Sequence, residues 1–215
     1  MTAQAFLSSV DRVYSLSGEA EIIPTSGNQL LDRALTRALA TLSRDFEVIP
    51  AFAYYDDRND GAGGNARAIP AVHSGLHRAD GTVLDGTVLF GKNLLRHCLA
   101  RPQYPDAAIV AIAAHEFGHI LQFKRGIALR MGGNTTMIEL HADFLSGYFA
   151  GLRKLRTPDY PAAVFGAVAA SLGGGDHGTP HQRGSAVEAG FLAAARDKLA
   201  LSQAVEQGIR HVRRG

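Results

Sequence analysis

From Ile112 to Gln122 the chain reads IAAHEFGHILQ, an apolar run interrupted by two histidines and a glutamate. The run lies inside a longer segment, roughly 106–123, whose pattern is helical. Burying two imidazoles and a carboxyl group in a dry apolar helix costs several kcal/mol unless each is paired or metal-bound. The segment therefore restricts the chain to folds that bring polar partners to the middle of an apolar helix.

Helix geometry narrows the choice further. Positions i and i+4 share one face, so His115 and His119 direct their rings at a common point. Two such nitrogens suit a zinc ion, and Glu116 stands beside them as a base for a metal-activated water. This is the H-E-x-x-H pattern of metallopeptidases. A catalytic site of this kind needs a third protein ligand and an open position. The segment MIELHADFLSGYFAGL offers Glu139 as that ligand. Asp143, one turn on, is placed to hold a ligand histidine through its other ring nitrogen. His141 competes for the third place, but it projects about 160° away from Asp143 around the helix.

Punctuation divides the rest. Phe6, Leu7, Val10, Val13 and Tyr14 repeat at helical spacing, as do Leu31, Ala34, Leu35, Ala38, Leu39 and Leu42, with Asn28 as a cap for the second group. FEVIPAFAYY reads as a strand weakened by Pro50. ARAIPAV and TVLDGTVLF read as extended segments with ADG as the turn between them. Helical patterns follow at roughly 106–123, 135–155, 160–171 and 184–207, broken by Pro158, Pro161 and the glycines at 173–175. The expectation is one α+β domain over 1–215, with a small sheet in the first half and helices in the second.

HEFGH followed by ELHAD resembles the gluzincin metallopeptidases, whose second motif is E-x-x-x-D. The pattern is most similar to the bacterial putative neutral zinc metallopeptidases, with H-E-x-G-H and then an E-x-x-A-D helix. DHGTPHQRGSAVEAGF, from Asp176 to Phe191, is similar to that family's H-G-[ST]-x-x-Q-R stretch. The resemblance covers about 106–191. It implies a minimal gluzincin fold with one zinc per chain, held by His115, His119 and Glu139, and Glu116 as the general base. It implies a small mixed sheet whose edge strand, expected at TVLDGTVLFG, aligns a peptide or protein substrate. It also implies that His177 is the second donor to the oxyanion, with His181 as the substitute, and that Arg183 clamps Glu139 or the loop.

Composition excludes other classes. The 22 basic and 20 acidic residues nearly balance, and the only dense basic run is the terminal RHVRRG, which reads as a solvated end rather than a nucleic-acid site. Cys98 is the only cysteine, so no intramolecular disulfide forms, and a reducing cytoplasm is the expected location. No stretch approaches the roughly 18 apolar residues of a membrane span. The expected activity is zinc-dependent endopeptidase. A catalytically silent relative that binds peptides, or a purely structural metal site, is the alternative.

Overall fold

Asn28 starts the first described helix, α1 (Gln29–Phe46), by accepting the backbone N–H groups of Leu30 and Leu31, each at 3.1 Å. A side-chain oxygen at this position satisfies donors that the first turn leaves open. The computed structural model describes residues 22–23, 25–58, 60, 64–71 and 83–214. The helix expected around 6–14 and the ADG turn lie outside the described residues. Helix α1 buries Leu35, Leu39, Leu42 and Phe46 and ends at Glu47 in the left-handed conformation.

The described strands form one mixed sheet. Strands β1 (Ile22–Ile23), β2 (Pro50–Tyr55), β3 (Ala66–Pro70) and β4 (Gly86–Gly91) lie in the order β1-β2-β4-β3. β2 and β4 run parallel, while β1 and β3 are antiparallel to their neighbours. Pro50 takes the first position of β2, where a missing donor is tolerated. The segment expected at the edge is therefore central: β4 pairs on both sides, and β3 holds the edge among the described residues. The reason is visible in GTVLFG. Every residue of β4 is buried, with Val88 and Phe90 in the main core and Leu89 in a smaller cluster with Ala53 and Tyr55. A continuous apolar run of this kind belongs to a strand covered on both faces.

Helix α2 (Lys92–Leu99) follows β4 directly, where the sequence pattern suggested no helix. Its first residues have no local side-chain cap. The cap comes instead from Asp57, 1% exposed, which accepts from Asn93 N at 2.7 Å, Leu94 N at 3.1 Å and Asn65 N at 2.9 Å. One carboxylate thus ties the start of α2 to the start of β3. Cys98, on α2, is a buried thiol that burial pushes up to about 11.

The second half is helical: α3 (Pro105–Lys124), α4 (Ile127–Arg130), α5 (Thr135–Arg156), α6 (Ala163–Ser171), α7 (Pro180–Ala195) and α8 (Leu201–Val212). The single helix expected at 184–207 is two. α7 begins early because Thr179 and Gln182 form a capping box around Pro180. It ends before Lys198, which adopts a left-handed φ of 55° while Leu199 N donates back to Ala193 O at 3.0 Å. α3 runs through the core, flanked by α1, α5, α6 and the β3–β4 side of the sheet. α5 and α7 meet backbone to backbone: a Cβ on Gly147 would lie 1.9 Å from Val187 O, and one on Gly190 1.8 Å from Phe144 O. The architecture is α+β, and no helix among the described residues is long and apolar enough to cross a membrane.

Candidate metal centre

The packing of α3 against α5 brings His115, Glu116 and His119 to Glu139 and Asp143. His115 Nε2 and His119 Nε2 are 3.1 Å apart. Glu139 reaches both, with Oε2 at 3.2 Å from His115 Nε2 and Oε1 at 3.4 Å from His119 Nε2. The opposite ring nitrogens are occupied. His115 Nδ1–H donates to Asp143 Oδ1 at 2.8 Å, and His119 Nδ1–H donates to Gln122 Oε1 at 2.8 Å. Neutral imidazoles committed in this way show only lone pairs at Nε2. Three electron-pair donors then face one another in a largely buried site, a repulsive arrangement that a cation relieves.

A proton on His115 is one such cation. Burial disfavours a charge on His115, but Asp143 and Glu139 outweigh it, and the ring is pushed up to about 10. Burial likewise opposes the charge on Glu139, yet its close contacts with His115 and His119 hold that carboxyl far below the usual range. Glu116, 6% exposed, goes the other way: burial raises it, the two histidines counter only in part, and Glu139 adds to the rise. His115, Glu116, His119, Glu139 and His177 all line one cleft of 560 Å3, together with Ala66, Arg67 and Ala68 of the edge strand and Gly64 and Asn65 just before it.

Of the two partners expected for Arg183, Glu139 and the loop, the structure shows the loop, with Asp143 added. Arg183 does not touch Glu139. Its Nε and Nη2 bind Asp143 at 2.7 and 2.8 Å, and its Nη1 donates to Leu172 O, at the head of the glycine loop, at 3.0 Å. His177 is the residue that meets Glu139, with Nδ1 2.8 Å from Oε2. His181 lines a separate groove with Leu140, Arg210 and His211 rather than the cleft. No protein-family model, curated protein or solved structure matches this chain.

Two residues of the site were not singled out for these roles by sequence. Gln122 closes the IAAHEFGHILQ segment and is fully buried. Besides receiving His119, it donates to Ile138 O at 2.8 Å and to His141 Nδ1 at 3.1 Å. His141, weighed as a metal ligand, is fully buried and turns instead toward α8, where Nε2–H donates to Val205 O at 3.2 Å. Gln122 stands three residues after His119 on one helix face, a local signal; the partnership of His141 with α8 has no local signal.

Proposed function

We propose that the chain is a zinc-dependent peptidase of the gluzincin type, acting on peptide or protein substrates. The observation that supports this best is the convergence of His115 Nε2, His119 Nε2 and Glu139 at 3.1 to 3.4 Å from one another, beside Glu116. Zinc bonds of about 2.0–2.1 Å in a tetrahedral arrangement put ligand atoms about 3.3 Å apart. The donor set fits the ion in chemistry as well as spacing, and three donors among the described residues are the number of a catalytic rather than a closed structural site.

Zinc held by His115, His119 and Glu139 would supply a Lewis acid and would make a water more acidic. Glu116 is the general base. Burial raises its proton affinity above that of an ordinary carboxylate, which suits a group that takes a proton from water and returns it to the leaving amine. His177, half-exposed at the rim, is the additional donor to the oxyanion. Asp143 and Gln122 keep the ligand rings turned with Nε2 inward.

The substrate aligns on β3. Gly91 N donates to Asn65 O at 2.9 Å, and the antiparallel register then places the bonded pairs at Arg67–Leu89 and Ile69–Thr87. Ala66 and Ala68 consequently turn their N–H and C=O groups to the open edge, where an extended peptide adds as a further strand.

The test is metal analysis of the purified protein together with cleavage of a peptide library by wild-type and Glu116→Gln chains. The expected result is one zinc per chain in both and a rate lower by several orders of magnitude in the variant. Wild-type cleavage by Glu116→Gln, or a wild-type chain without affinity for zinc, overturns the reading.

A further inference from the structure

The metal-facing nitrogen of His119 is selected by a relay that ends on the last helix. Val205 O can only accept, so His141 carries its proton on Nε2 and leaves Nδ1 as an acceptor. That acceptor, together with Ile138 O, takes both hydrogens of the Gln122 amide and settles which way the amide faces. Gln122 Oε1 is then aimed at His119 Nδ1, which must be the protonated nitrogen of that ring. The only lone pair left to His119 is on Nε2, at the centre. Gln122 and His141 are both fully buried, and the four bonds leave none of their polar atoms idle. Space for His141 is made by α8 itself, since a Cβ on Gly208 would lie 2.8 Å from His141 Cδ2.

We propose that Gln122 and His141 are positioning residues that hold His119 in its metal-binding tautomer, anchored on the Val205 carbonyl of α8. The proposal rests on the metal-centre reading above and goes beyond it, because nothing in the H-E-x-x-H spacing requires α8. It differs from the support of His115, which runs through a charged pair, Asp143 and Arg183. The His119 side is neutral throughout, so its direction is set by which groups lack a proton rather than by charge.

The experiment uses the full-length chain in two measurements. Proton–nitrogen correlation NMR of the metal-free wild type reads the tautomers directly. His141 is expected as the Nε2–H form and His119 with its proton on Nδ1; His141 protonated on Nδ1 instead overturns the relay. Zinc affinity is then measured by chelator competition for wild type, Gln122→Leu, His141→Phe, Gln122→Glu and His115→Asn, each checked by circular dichroism for its fold. Gln122→Leu and His141→Phe are expected to bind zinc about 10- to 100-fold more weakly, the usual consequence of removing an outer partner. Gln122→Glu restores an acceptor for His119 and is expected to bind more tightly than Gln122→Leu. Wild-type affinity in folded Gln122→Leu overturns the proposal. His115→Asn separates the two readings. If it abolishes binding while Gln122→Leu does not change it, the relay is wrong and the centre stands; if it leaves binding unchanged, the centre itself is wrong.

Discussion

Arg183 and Asp143 meet through two parallel hydrogen bonds across α5 and α7, at 2.7 and 2.8 Å, with 4% and 1% of their surfaces exposed. The same Asp143 Oδ1 also receives His115 Nδ1. Burial pushes this carboxyl up, but His115 and Arg183 outweigh it and hold it ionised. The buried ion pair and the candidate metal ligand His115 therefore share one oxygen atom.

Removing the arginine leaves a buried charge with only an imidazole for company. Arg183→Leu is expected to lose about 3–5 kcal/mol of stability by urea unfolding, the usual result of breaking a buried pair. Arg183→Met combined with Asp143→Leu is expected to recover part of that loss while still binding zinc more weakly than wild type. A single variant as stable as wild type contradicts the account.

His177 is half-exposed, so its bond to Glu139 adds little to the hold on a metal. His177→Ala is expected to keep its zinc and its KM while kcat falls roughly a hundred- to a thousand-fold, the loss of about 2.7–4 kcal/mol that follows removal of an oxyanion donor. Steady-state kinetics beside metal analysis reads both quantities. Unchanged kcat removes His177 from the chemistry.

Ala68 offers its N–H to the open edge of β3, so Ala68→Pro removes a donor that no ladder bond uses. KM for an extended peptide is expected to rise while the fold and zinc content persist. The same change at Val88, in central β4, is expected to unfold the chain. Equal KM in a folded Ala68→Pro chain shows that substrate does not pair with this strand.

Stability should depend on pH through Asp32 and Tyr54, which are joined at 3.1 Å. Burial pushes Asp32 up, but Ser26, Thr25 and Tyr54 donate to it and bring it below the usual carboxylate range. Its contribution is complete above about pH 3.9 and is lost as pH falls through the folded value. Tyr54 is raised far above its ordinary value by burial and by the Asp32 charge. Its contribution is complete below about pH 10 and is lost as pH rises beyond that. Thermal melts are expected to show Tm falling on both flanks, and Tyr54→Phe is expected to flatten the alkaline flank. An alkaline flank unchanged in that variant rules Tyr54 out as its source.

Sequence spacing placed His115, His119, Glu139 and Asp143 because all four depend on one-turn geometry within α3 or α5. What it missed depends on pairing between distant segments. β4 is central because β3 returns to it, a choice the run GTVLFG hinted at through its unbroken apolarity. α2 went unseen because its cap, Asp57, lies 36 residues before Asn93. Arg183 and His177 were correctly drawn to the cleft, but which carboxylate each meets depends on how α7 lies on α5. The 184–207 pattern concealed a break because Ala193, Ala194, Leu201, Ala204 and Val205 face one core from two helices.

Gly147 lies one turn beyond Asp143, and Gly190 two turns beyond Arg183, at the place where α5 and α7 touch. The missing side chains there act as a gauge. They set the separation of the helices, and that separation sets how far the guanidinium must reach and hence where Asp143 parks His115. A methyl group at either glycine would be a wedge, opening the pair on a pivot away from the cleft. The calibre of the candidate metal centre is thus dictated by atoms that are absent, at a helix contact outside the lining of the cleft.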